Sequence, residues 1–214
     1  SALAAAGALT IGDAARLLRI RGNAMQAAVP AGVGAMAALI GLEFDAADAI
    51  AREAAEGDVC QAANDNGGGQ VVISGHKSAI DRAIALAPGR GAKRALLLPV
   101  SAPFHCALMQ PAAEAMAEAL AKATIKAPAV PLVANVTAGF LTDPKAIADS
   151  LVRQVTGTVR WRESVQFMAA QGVTQFVEVG AGKVLAGLVR RIADGAAVQS
   201  VGNPADVESF RSAT

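Results

Sequence analysis

Between residues 30 and 102 the hydrophobic pattern changes period in a fixed order, and that order restricts the possible folds more than any other feature. Ala31 to Leu42 is apolar and reads as a strand. Asp45 to Glu56 reads as a helix, opened by Asp45 and stopped by Gly57. Asp58 to Ala63 and Gln70 to Ser74 are strands joined by Asn64-Asp-Asn-Gly-Gly-Gly69, a hairpin composition. Ser78 to Leu86 places Ile80, Ala83, Ile84 and Ala87 on one helical face and ends at Pro88-Gly89. Arg94 to Val100 closes the series as a strand. The order β-α-β-β-α-β is that of a ferredoxin-like split unit. Residues 30–102 are therefore expected to form a small inserted subdomain, with residues 1–29 and 103–214 forming an α/β core.

The flanking segments support an α/β class. Thr10-Ile-Gly-Asp13 has capping-box form and opens a helix running to about Gln26. Ala112 to Thr124 reads as a helix with Pro111 at its start, and Val130 to Asn135 as a strand. A helix is expected around Lys145 to Gln154, and another where Trp161, Val165 and Met168 form a stripe ended by Gly172. Val173 to Val179 is expected as a buried strand and Val184 to Ile192 as the last clear helix, with weak folding from Gln199 onward. The opening Ser1 to Thr10 lacks a basic leader and reads as helix from mid-domain, so the chain is expected to be truncated at its start.

Composition excludes several classes of partner. A formal net charge of +1, aromatics at 3% and no tyrosine argue against nucleic acid, either by bulk attraction or by base stacking. No apolar run approaches the roughly 20 residues of a membrane span. Cys60 and Cys106 form no CxxC pair, which suits a reducing, cytoplasmic location. Neither histidine belongs to a ligand cluster, so no metal is expected.

Two residues stand out chemically. At about 100° per residue, the helix from Asp13 gathers Ala14, Leu17, Leu18 and Met25 on one face, with Arg21 in the middle of that stripe. A guanidinium directed at a core needs an anion, and its planar fork suits a carboxylate held bidentately. A structural ion pair, or a side chain bending out to water, are the open alternatives. His105 sits in Val100-Ser-Ala-Pro-Phe-His-Cys-Ala-Leu-Met109, between a strand and a helix at the expected domain seam. There an imidazole can serve as a general base, and its alternative is a hydrogen-bonded core histidine. Cys106 reads as a small core residue and His76 as a solvated turn residue. Gly67-Gly-Gly69 reads as a hairpin. Gly180-Ala-Gly-Lys183 reads as a tight strand-to-helix turn, because it lacks the spacing of a phosphate-binding loop. No Gly-x-Ser-x-Gly elbow occurs.

Arg21-Gly-Asn-Ala-Met-Gln26, Gln61-Ala-Ala-Asn64-Asp-Asn66, Gln70-Val-Val-Ile-Ser-Gly75, Val100 to Met109, and Glu178-Val-Gly-Ala-Gly-Lys-Val-Leu185 together resemble malonyl-CoA:acyl carrier protein transacylases. The resemblance runs from Ser1 to about Ile192 in one consistent order. It implies an α/β-hydrolase-like core with a ferredoxin-like insert, acting in the cytoplasm as a monomer without a cofactor. The implied partners are malonyl-CoA and acyl carrier protein. His105 matches the family's base and Arg21 its malonyl-carboxylate clamp. Gln154 matches the position whose main-chain carbonyl orients the histidine, while Met25 and Asn64 match cleft-lining positions. Phe104 matches a bulky position that favours malonyl over branched units, although one methyl is worth only about 1–3 kcal/mol. The family's nucleophilic serine would precede Ser1, so the chain alone is expected to be inactive. A non-catalytic remnant binding acyl-CoA or carrier protein, and a polyketide-type acyltransferase domain, are the alternatives.

Overall fold

In the computed structural model, which describes residues 1–213, the segment read as β-α-β-β-α-β folds in that order. Its strands are β1 (Gly34–Ile40), β2 (Cys60–Asp65), β3 (Gln70–His76) and β4 (Arg94–Leu97). They are ordered β4-β1-β3-β2 and are antiparallel throughout. Pro99 offers no N–H, and β4 stops short of the Val100 end expected from the sequence. The helices are numbered along the whole chain. In this segment they are the third and fourth, after α1 (Ala2–Ala5) and α2 (Ile11–Ala27), and run as α3 (Phe44–Ala55) and α4 (Lys77–Leu86). Alternation along the strands sends Ala35, Ala37, Leu39, Val71 and Ile73 to the face covered by α3 and α4. There Ile50 and Ile80 are buried, each contributing roughly 1.5–3 kcal/mol. Met36, Ala38 and Val72 point the other way, where Phe104 packs against them.

The second core is built by α1, α2, α5 (Gln110–Ala121) and α6 (Pro144–Thr156) around Leu17, Met25, Met109, Met116, Ile147 and Val155. Proline in the first turn and the Asp143 carboxylate, which accepts from Ala146 N at 2.7 Å, set the start of α6. The strand read at Val130 to Asn135 is shorter, β5 (Leu132–Ala134), and pairs with β6 (Gly139–Leu141). Then β7 (Val159–Arg160) runs parallel to β2 and adds a fifth strand to the main sheet. It leads into α7 (Trp161–Ala170), which packs on α8 (Val184–Ile192) through Val165 and Val189.

Two expectations are corrected at the C-terminal end. The strand from Val173 is β8 (Gln175–Val179); it is only partly covered, and Val179 is 81% exposed. Its partner, running parallel, is β9 (Ala197–Val201), in the region expected to fold weakly. After it comes α9 (Pro204–Ala213). A local reciprocal cap fixes the first turn of that helix: Asn203 Oδ1 accepts from Asp206 N at 3.0 Å, and Asp206 Oδ2 accepts from Gly202 N at 2.9 Å. Those capping residues are plain in the sequence, but their short span produces no hydrophobic period.

Candidate active site

Arg21 reaches the cleft because α2 is held at its start and packed along one side. Thr10 Oγ1 accepts from Asp13 N at 3.0 Å, and Leu17 and Met25, one turn before and after Arg21, are buried. Leu18, expected on the same buried stripe, is 53% exposed, since α2 turns only a narrow strip to its neighbours. Arg21 itself is half-buried, and burial lowers the pKa of its guanidinium from the ordinary value. Among the described residues its guanidinium has neither a hydrogen bond nor an ion pair. A partly desolvated cation without a counter-ion is costly, so this geometry leaves a place for an anion.

His105 is placed by a constrained loop. Ala102 and Pro103 are buried, and Pro103 lies so close to Gly34 that a Cβ there would come within 2.3 Å of Pro103 Cγ. His105 takes φ +60°, a left-handed conformation that few non-glycine residues adopt and that recurs at functional sites. Its Nδ1 lies 3.0 Å from the main-chain oxygen of Gln154, in the last turn of α6. A carbonyl can only accept, so Nδ1 carries the hydrogen and Nε2 keeps its lone pair. Burial, chiefly, and the positive charge of Arg21 lower the imidazole pKa below 6.5, while the carbonyls of Gln154 and Gly157 pull the other way. The ring is accordingly neutral near pH 7, as a general base must be.

Arg21, His105 and Gln154 line one cleft of about 340 Å³, with Leu17, Asn135 and Val159. An adjoining hollow of about 250 Å³ brings Met25 and Phe104 beside Arg21 and His105. Asn64 lies on β2 next to Val159 of β7 and lines neither hollow. A larger groove of about 410 Å³ between α2 and α5, lined by Asp13, Arg16, Glu118 and Lys122, contains neither Arg21 nor His105. Sequence reading missed Asn135 and Val159, because the turn after β5 and a two-residue strand are below the reach of any period.

The remaining candidates are structural. Cys106 is fully buried, its Sγ 3.2 Å from the Pro103 oxygen, and burial raises its thiol pKa. Burial likewise pushes Cys60 up to about 11. His76, expected to be merely solvated, accepts from Val59 N at Nδ1, 2.9 Å, and ties β3 to the turn before β2. At the start of α8 the Glu178 carboxylate accepts from Leu185 N and Ala186 N, at 3.1 and 2.8 Å, occupying donors a phosphate would need. No group of three or more metal-ligating side chains occurs among the described residues.

With this geometry established, the comparisons define the class. Residues 1–208 match the family described as "Acyl transferase domain", and the chain belongs to that family. Within it, the chain is 52% identical over 204 residues to the malonyl CoA-acyl carrier protein transacylase of Escherichia coli strain K12. That match covers 95% of this chain and 66% of the relative, so the chain spans just under two thirds of that relative's length. Among solved structures, the acyl-carrier-protein-S-malonyltransferase of Bartonella henselae is 54% identical with a TM-score of 0.94, covering 99% of this chain and 67% of the other. A type II PKS acyl-carrier protein in complex with its malonyl-transacylase gives 41% identity and a TM-score of 0.93, covering 99% of this chain and 69% of the other.

Proposed function

We propose that the cleft holds the malonyl thioester of a malonyl-CoA:acyl carrier protein transacylase feeding fatty acid synthesis. The unpaired guanidinium of Arg21, in the same cleft as a base-competent His105, is the observation that carries this reading. Arg21 would hold the free malonyl carboxylate through two parallel N–H···O bonds, while the thioester carbon lies toward His105. Nε2 would take the proton of a serine hydroxyl as that oxygen attacks the thioester, then return it to the departing CoA thiolate. In the second half, Nε2 would deprotonate the carrier's phosphopantetheine thiol, whose sulfur takes the malonyl group and releases the serine.

Relatives named for malonyl transfer, and a neighbour in complex with its acyl-carrier protein, support those two partners. The strand order β4-β1-β3-β2 supports a ferredoxin-like unit over 30–102; the α/β-hydrolase-like core proposed for 1–29 and 103–214 rests on the family resemblance. We further propose a cytoplasmic monomer needing no cofactor; among the described residues no helix is long and apolar enough to cross a membrane. Calorimetric titration with malonyl-CoA and acetyl-CoA tests the reading without requiring turnover. Malonyl-CoA should bind at least about tenfold more tightly, the lower range for a charge-assisted pair. Equal affinities would remove the clamp and the reading with it.

A further inference from the structure

The His105–Gln154 pair joins two segments distant in sequence, and both segments are fastened to consecutive residues of one strand. Two residues after His105, Ala107 N donates to Gln61 Oε1 at 2.7 Å. Four residues after Gln154, Thr158 Oγ1 donates to the Ala62 carbonyl at 2.7 Å. The register of β2 against β3 shifts between Ala62 and Asn64. Such a bulge re-aims the backbone and is common beside active sites. Immediately beyond it, Asn64 and Asp65 pair with Val159 and Arg160.

We infer that Gln61 and Thr158 are positioning residues for His105, with bulged β2 acting as the common anchor that brings the imidazole to the Gln154 carbonyl. The inference rests on the reading of His105 as the base. His105 is strained at φ +60°, so its loop would relax unless held from outside. Gln61 supplies that hold on the C-terminal side of the histidine, complementing the Pro103–Gly34 contact on the other. Thr158 acts on the acceptor: without its bond to Ala62, the chain leaving α6 could drift from the ring. Both bonds therefore set one relationship, the protonation of Nδ1 and the availability of Nε2.

The test uses Thr158→Val and Gln61→Met, which remove the hydroxyl and the amide acceptor at similar volume, against Thr158→Ser and Gln61→Glu, which retain the hydrogen-bonding atoms. Ring ¹⁵N shifts of His105 in this chain report its tautomer directly. The unsubstituted protein should show the Nδ1–H form, Thr158→Val and Gln61→Met a mixture with Nε2–H, and Thr158→Ser and Gln61→Glu the original form. In malonyl transfer assays made with the nucleophilic serine present, the first two should lose roughly tenfold or more in kcat with KM for malonyl-CoA within about twofold, as expected for misplacement of a reacting group. Retention of the Nδ1–H tautomer in both Thr158→Val and Gln61→Met would overturn the inference. So would identical behaviour of Val and Ser at position 158. A tautomer shift in Thr158→Val, found alongside equal affinities of the unsubstituted protein for malonyl-CoA and acetyl-CoA, would uphold the anchor and refute the transfer reading.

Discussion

His105 Nδ1 and the carbonyl oxygen of Gln154 are 3.0 Å apart, so a main-chain acceptor orients the imidazole where a carboxylate would serve in a triad. A neutral acceptor stabilises the imidazolium less than a carboxylate does, and burial lowers the ring's pKa further. A weak, neutral base suits a reaction whose leaving group is a thiolate, which needs little help from a strong acid. His105→Ala should therefore slow acyl transfer by roughly 100-fold or more while the protein still folds. Single-turnover measurement of acyl-enzyme formation, made with the nucleophilic serine present, checks this, and near-normal rates would remove His105 from the chemistry.

The same pKa shift fixes a pH dependence. Because the folded value lies below 6.5, the unfolded chain protonates first as the pH falls. The folded state consequently loses stability as pH drops through 6.5 toward the depressed folded value, and His105 contributes no further loss below that value. The acid limb of kcat/KM should likewise fall below pH 6.5. Urea unfolding at a series of pH values should show a decline above the carboxylate range that is absent in His105→Gln. An identical decline in that variant would assign the effect elsewhere.

The role proposed for Arg21 is to separate two substrates that differ by one carboxylate. Arg21→Ala should weaken malonyl transfer by about 10- to 100-fold and leave acetyl transfer nearly unchanged, the range for a charge-assisted pair. Arg21→Lys should recover only part of the loss, because an ammonium cannot form the two-bond fork. Competition between malonyl-CoA and acetyl-CoA in one assay measures the ratio. Equal losses for both acyl groups would show that Arg21 serves the fold.

The ease with which these residues could be read from the sequence follows from the range of their interactions. Arg21 stood out because a helix repeats every few residues, so one charge within an apolar stripe is visible locally. The unit from Gly34 to Leu97 was legible for the same reason: each element is long enough to show its period, and Gly57, Gly67-Gly-Gly69 and Pro88-Gly89 mark the turns. The partnership of His105 with Gln154 has no local signature, since it depends on α6 ending beside a loop far away in sequence. It was accessible only through the family resemblance. The pairing of Val159–Arg160 with β2, and the bulge at Ala62, were invisible because neither alters the pattern of apolar residues.

Gly34 shows how the small sheet and the loop carrying His105 are coupled. Its Cα faces Pro103, and an added methyl would lie 2.3 Å from Cγ and 2.5 Å from Cδ, inside van der Waals contact. Pro103 cannot retreat easily: it is fully buried, and its ring has no rotamer to adopt. Gly34→Ala must then displace either β1 or the loop ending at His105. Moving β1 would strain its register with β3 and β4, two ladders of hydrogen bonds, whereas the loop is held by fewer bonds. The loop should yield, at a cost of about 1–3 kcal/mol in unfolding free energy. Malonyl transfer should fall more steeply than that loss of stability explains, because His105 is displaced in the fraction that remains folded. Denaturation midpoints and kcat measured on the same samples distinguish these effects; a fall in stability with kcat per folded molecule intact would mean that β1 had moved instead.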